Sequence, residues 1–260
     1  MDHSKLFASS TLFWSLPIEE WFKLAKEQGL KGLELWIQQL EYKGIEPEEI
    51  RNLSQKYDLK LTLHSYSWDC NLLATPVFMR KAAVQLTKEA LALGGYIEAG
   101  SVTIHPGSIR DILPQQEYFK LLADAIGYLG NYAREQGTVA SLEIMEKIKG
   151  EYLTTVQAAV NLESIYGEEK TWQYTEDIAH CDTEEEIYNL REVLGNSLSE
   201  FHLSNKKNQC RHVADVEKGD FDLPTVVDKL ANSDKPFIME GLDTSTDAAF
   251  FKRFLRYLDR

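Results

Sequence analysis

Short apolar runs alternate with longer stretches of helical periodicity from one end of the chain to the other. Leu6-Phe-Ala-Ser9 reads as a strand. The segment after Pro17 sets Trp21, Phe22, Leu24 and Ala25 at helical spacing before Gly29 stops it. Gly32-Leu-Glu-Leu-Trp36 is a second strand, with a helix from Pro47 to Tyr57. Lys60-Leu-Thr-Leu-His64 is a third, followed by a long helix from Thr75-Pro76 to Gly94-Gly95. Ser101 to His105 leads to a helix between Pro114 and Gln136, and Val139 to Glu143 leads to one between Thr154 and Tyr166. The sixth strand, Thr171 to Asp177, is aromatic and β-branched, and Asp182-Thr-Glu-Glu185 after it reads as a capping box for a helix ending at Gly195. Leu198 to Asn205 is the seventh strand, with a helix from Asp222 to Ala231. Pro236 to Glu240 is the eighth, and Ser245 to Leu258 is the closing helix.

Strict alternation of strand and helix implies parallel strands. Eight such units in 260 residues is the size of a (β/α)8 TIM barrel, and the absence of any linker or composition break predicts a single domain over residues 1–260. A doubly wound α/β sheet would need a glycine-rich phosphate turn after the first strand, and Ser9-Ser10-Thr11-Leu12 is not one.

Composition narrows the class without changing the fold. The chain is 43% hydrophobic and 27% charged, a globular balance. No run of about 18 apolar residues is present, so no membrane-spanning helix is expected. Met1 to Phe7 lacks the basic and apolar regions of a secretion signal, and Cys70, Cys181 and Cys210 form no C-x-x-C pair; both point to the cytoplasm. A net charge of −13 repels phosphate backbones and argues against general nucleic-acid binding.

The candidate chemistry gathers at the C-terminal ends of the strands, where barrels of this kind place their active sites. His64, His105, Glu143, Asp177, His202 and Glu240 close six of the strands, and His180 and His212 follow in the loops. Of the six histidines, all but His3 fall on this face. Carboxylates at the ends of apolar strands call for a cation or hydrogen-bond donors. Two glutamates, one aspartate and one histidine form an oxygen-rich shell suited to Mn²⁺, Mg²⁺, Co²⁺ or Zn²⁺, with positions left open for substrate oxygens. Lys206, Lys207 and Arg211 form a local excess of positive charge, which suits a phosphorylated or carboxylated sugar. Trp14, Trp36, Tyr66 and Trp68 follow the first three strands and suit a wall for sugar C–H faces.

Together the pieces resemble the xylose-isomerase-like barrel superfamily of sugar-phosphate isomerases, ketose 3-epimerases and AP endonucleases of the endonuclease IV type. The matching pieces are Ile104-His-Pro-Gly107, Leu142-Glu143, Asp177-Ile-Ala-His180, His202-Leu-Ser-Asn205, Arg211-His212, Gly219-Asp-Phe-Asp222 and Met239-Glu240. The resemblance implies one divalent metal on Glu143, Asp177, His202 and Glu240, with Glu143 and Glu240 also as the acid/base pair. Proton transfer would run through an enediolate of a small sugar, sugar phosphate or polyol. It also implies that His180 and Arg211 hold substrate oxygens and that a homo-oligomer is common among such proteins; Lys206, Trp14 and Trp68 are expected as further substrate contacts from their charge and position after the strands.

The rival branch, a zinc phosphodiesterase acting on abasic DNA, would add metals on His64, His105, His180 and His212. A dehydratase of the same family is the third reading. The trinuclear pattern is broken by Cys210, which stands where an aspartate would precede Arg211-His212, and by Asn205, where many relatives carry aspartate.

Overall fold

The computed structural model describes residues 3–110 and 112–260 of the chain, so the first two residues of the N-terminal stretch discussed above lie outside it. Strands β1 (Leu6–Ser9), β2 (Gly32–Trp36), β3 (Lys60–His64) and β4 (Val102–Ile104) make the first half of a closed barrel. Strands β5 (Ala140–Ile144), β6 (Trp172–Asp177), β7 (Leu198–Leu203) and β8 (Phe237–Met239) make the second. Each strand pairs in parallel with its neighbours in sequence, and β8 returns to β1. This is a (β/α)8 TIM barrel.

Around it run helices α1 (Ile18–Glu27), α2 (Ile37–Lys43), α3 (Pro47–Tyr57), α4 (Val77–Tyr96) and α5 (Gln115–Gln136). The ring closes with α6 (Val156–Tyr166), α7 (Glu184–Leu194), α8 (Leu223–Leu230) and α9 (Ala249–Leu258). None of the described helices is long and apolar enough to cross a membrane.

Several local expectations need correction: the closing helix begins at Ala249 rather than Ser245, and Pro76 caps α4 instead of opening it. Helix α2 was not predicted: Ile37, Gln39 and Leu40 bury one side of a short helix that Gly44 ends in the left-handed region, at φ +64°. The cap of α7 is shifted by one residue. The Thr183 hydroxyl accepts the Glu186 amide, and the Glu186 carboxylate reaches back to the amide of Asp182.

Strand alternation sorts side chains into two environments. Leu33, Leu35, Leu61, Leu63, Leu142, Phe201 and Leu203 face outward and join Trp21, Phe22, Leu91, Leu129 and Phe251 in the apolar layer under the helices. The alternate positions face the barrel axis, and there Glu34, Thr62, Thr103, Ser141, Thr175 and Glu200 are all buried. Barrels of this type usually fill the axis with branched apolar residues. Here hydroxyls do so, and they bind one another. Thr103 and Ser101 donate to the two oxygens of Glu200 (2.6 and 2.8 Å), while Thr175 contacts Thr103 (3.0 Å) and Ser141 (2.6 Å).

A bulge sets the register of β7. Tyr174 pairs with Leu198 but Thr175 pairs with Glu200, so Ser199 is an extra residue on that strand. The shift brings His202 opposite Asp177. Without it, the side chains beyond Ser199 would swap faces.

The loop from β7 to α8 is tied down by Asn205, which is fully buried. Its amide donates to the carbonyls of Val216 and Phe221 (both 2.8 Å), and its oxygen accepts the amides of Lys206 (2.9 Å) and Phe221 (3.2 Å). An aspartate could not make the two donations. A Cβ on Gly219 would lie 2.1 Å from the Asn205 side-chain carbon, so the close approach needs glycine. Asn205→Asp is therefore expected to leave two buried carbonyls without donors and to cost roughly 2–5 kcal/mol in urea unfolding. A loss below about 0.5 kcal/mol, within the range of neutral surface substitutions, would refute the bonding scheme.

Candidate metal and substrate site

Six strand ends and two loops deliver their polar side chains to the C-terminal mouth. Glu143, on β5, stands at the centre. Its Oε2 lies 2.8 Å from His105 Nε2, as an ion-pair contact without the alignment of a hydrogen bond, and 3.7 Å from His64 Nε2. Its Oε1 lies 3.6 Å from His180 Nδ1 and 3.8 Å from His202 Nδ1. Glu240, just past β8, places Oε2 at 3.7 Å from His202 Nδ1 and 3.8 Å from His212 Nδ1. Asp177 Oδ2 is 3.5 Å from His180 Nε2 and 3.8 Å from His212 Nε2. The eight residues singled out in the sequence therefore share one site.

Backbone groups fix how several of these residues are presented. His64 Nδ1–H donates to the Ser65 carbonyl (2.9 Å), which turns Nε2 inward. His180 Nδ1–H donates to the Ile144 carbonyl (2.9 Å). Asp177 Oδ1 accepts the Ala179 amide (2.7 Å) and the Ser204 hydroxyl (3.1 Å), leaving Oδ2 for the centre. His202 Nε2–H donates to Glu34 Oε1 (3.0 Å), leaving Nδ1 without a hydrogen-bond partner.

What remains is a set of buried atoms without a hydrogen-bond partner: Glu143 Oε2, Asp177 Oδ2, His202 Nδ1 and Glu240 Oε2. Orphaned polar atoms that converge in a buried site are costly unless a ligand satisfies them. Three acid oxygens and one imidazole nitrogen fit a divalent cation with open positions. Glu143, Asp177 and His202 bring donors within 4.8 Å of one another, as do His64, His105 and Glu143, and also Asp177, His180 and His212.

Protons balance the charges when no cation is bound. Burial would raise Glu143, but His105, His64 and His202 outweigh it and hold the carboxyl well below its ordinary range. Burial pushes Glu240 up to about 7, with Asp177 adding to the effect. Burial works against charged imidazoles too, yet the surrounding acids prevail. Glu143 and Glu34 lift His64 to about 8, and Asp177, Glu143 and Glu146 lift His180 to about 9. Glu34 and Glu240 raise His202 well above the usual imidazole value.

Above the cluster opens a pocket of about 300 Å³ whose walls include Trp14, Trp36 and Trp68. Trp36 meets Trp68 edge to face with centroids 4.9 Å apart, and Trp14 stacks on Tyr42 at 6.1 Å. Tyr66 is directed instead to Glu41. Lys206 and Arg211 do not line this pocket. Lys206 Nζ donates to the Asp182 carbonyl (2.9 Å), Arg211 Nη2 lies 3.4 Å from the Asp182 carboxylate, and Lys207 pairs with Asp220 at 3.3 Å.

Sequence reasoning passed over Glu34, Glu146 and Glu200. Glu146 stands 3.3 Å from His180 Nε2. Glu34 and Glu200 are single acids inside apolar strands, Gly32-Leu-Glu-Leu-Trp36 and Leu198-Ser-Glu-Phe201, and that isolation is the signal that could have found them.

Comparison with known proteins agrees with the architecture. Over 93 residues the chain is 28% identical to an uncharacterized protein of Methanocaldococcus jannaschii, a match that spans 37% of that relative's length. A D-tagatose 3-epimerase-like protein superposes with a TM-score of 0.79 at 18% identity, over 98% of this chain and 97% of the other. The 3-keto-D-glucoside 4-epimerase of E. coli gives 0.78 at 18% identity, with the same coverage. At such identities these two structures attest to the fold alone. The family model described as a xylose isomerase-like TIM barrel matches residues 22–256, and the chain belongs to that family.

Proposed function

We propose that the protein is a divalent-metal-dependent isomerase or epimerase of a small, uncharged sugar or related polyol. The observation that carries this reading is the convergence of unpartnered Glu143 Oε2, Asp177 Oδ2, His202 Nδ1 and Glu240 Oε2 beneath a tryptophan-walled pocket. A cation held by these four residues would polarise the carbonyl and hydroxyl oxygens of the substrate. Glu143 and Glu240 come from β5 and from the end of β8, on different sides of the mouth. One takes the proton α to the carbonyl, and the other returns a proton at the opposite face or on the neighbouring carbon. The indoles of Trp14 and Trp68 cover C–H faces and keep water from the reacting carbon. His180 is placed to hold a hydroxyl beside Asp177. Lys206 and Arg211 are engaged by Asp182, and among the described residues the pocket lining contains no lysine or arginine, which favours the uncharged substrate.

One observation favours a second reading, a zinc phosphodiesterase. The two further donor clusters, His64–His105–Glu143 and Asp177–His180–His212, adjoin the first. The net charge of −13 and the pairing of Lys206, Lys207 and Arg211 with acids weigh against a nucleic-acid substrate.

Metal analysis of purified protein is expected to give one ion per chain. Two or three zinc ions, together with chelator-sensitive cleavage of an abasic duplex, would move the assignment to the phosphodiesterase. Incubation with a panel of ketohexoses in D₂O should place deuterium α to the carbonyl of the accepted sugar, and Glu240→Gln should abolish that exchange with the fold intact. Exchange at the parent rate in the variant would remove Glu240 from the chemistry.

Stability should report the same site. His64 (about 8) and His180 (about 9) lie above the ordinary imidazole value of 6.5, and Glu240 (about 7) lies above the ordinary carboxyl value of 4.5. Each binds its proton more tightly when folded. Its contribution is therefore full below the ordinary value and lost as pH rises through the folded one. The chelated protein is expected to lose thermal stability from about pH 4.5, where the Glu240 contribution begins to fall, to about pH 9, where that of His180 is spent, by ~1.4 kcal/mol per pH unit for each proton released. Saturating Mn²⁺ should reverse the trend, because its ligands must be deprotonated. A midpoint that is flat or rising over this range without metal would contradict the assignment.

A further inference from the structure

A buried carboxylate on β2 reaches across the barrel axis to the site. Glu34 Oε1 accepts the Nε2 proton of His202, on β7, at 3.0 Å, and both side chains are wholly buried. We propose that Glu34 is the positioning residue that makes His202 a metal ligand, by fixing its ring and holding its proton on Nε2. This rests on the reading of His202 as a ligand given above.

Proton placement decides which nitrogen of His202 can ligate. A neutral imidazole carries one N–H, and the hydrogen bond at one nitrogen decides which atom is left to ligate. With Nε2–H given to Glu34, the lone pair of Nδ1 points at Glu143 Oε1 (3.8 Å) and Glu240 Oε2 (3.7 Å). In the other tautomer, Nδ1–H would aim at the same two carboxylates and bar a cation.

The neighbouring acid, Glu200, does not take over this role. Glu200 lies just below, and its donor atoms are within 4.8 Å of Glu34 and His202. Its two oxygens are already held by the hydroxyls of Ser101, Thr103 and Thr175. For the same reason the cluster of Glu34, Glu200 and His202 is not a further cation site, since its imidazole nitrogen carries the proton. A carboxylate acceptor also raises the basicity of the ring it holds, which a neutral amide does less well.

Co²⁺ affinity, measured by competition with a chromophoric chelator, tests the proposal without reference to any substrate. Glu34→Gln keeps the side-chain shape and should weaken Co²⁺ binding 10–100-fold, the usual effect of losing such a partner, and shift the visible d–d bands. An affinity within twofold of the parent would overturn it. His202→Ala separates the two readings. If it binds Co²⁺ as tightly as the parent, His202 is no ligand and both readings fall. If it binds weakly while Glu34→Gln is unchanged, the role of Glu34 alone fails. Long-range ¹H–¹⁵N spectra of the unsubstituted Zn²⁺ protein decide the matter even if the Gln variant does not fold. A proton on Nε2 of His202 with the metal on Nδ1 is expected, and a proton on Nδ1 would refute the proposal.

Discussion

A charge taken out of water has to be met by an opposite charge, and this molecule takes many out of water in one place. Glu34, Glu143, Asp177, Glu200, His64 and His202 are all buried within the barrel. Isolated, each would cost several kcal/mol. Their arrangement follows from that constraint. Imidazoles stand between carboxylates, hydroxyls line the oxygens of Glu200, and the atoms left over converge on one point. Such a column is tolerable because the apolar work of folding is done elsewhere, in the layer between the outward strand faces and the helices.

The same division explains why the site can be rigid. Most of its donors sit on strands or within a residue or two of a strand end, and their rotamers are held by backbone carbonyls, backbone amides or buried side chains. The Ser199 bulge is a small irregularity with a large effect, since it is what sets His202 beside Asp177. A barrel with perfect pairing along β6 and β7 would have the same outline and a different mouth.

Much of this was legible in the chain. Periodicity locates all eight strands to within a residue or two, because each is short, apolar and bounded by helix signals. Strand ends at His64, Glu143, Asp177 and Glu240 then bring the candidate residues to one face with no further information. What was hidden depends on partners distant in sequence. Glu34 lies 168 positions from His202, and nothing local in Gly32-Leu-Glu-Leu-Trp36 says which residue it meets. Lys206 and Arg211 look like a free basic cluster until Asp182, from another loop, is seen to hold both. The α2 helix was missed because a single buried turn after a strand has too few periods to read.

The lock between Asn205 and Gly219 has a consequence for how such a chain can vary. The asparagine amide occupies the space that any Cβ at 219 would need, and it alone can donate to both Val216 and Phe221. Neither position can change first without loss. Two positions separated by a whole loop thus share one space, and a side chain at 219 would have to be matched by a smaller residue at 205.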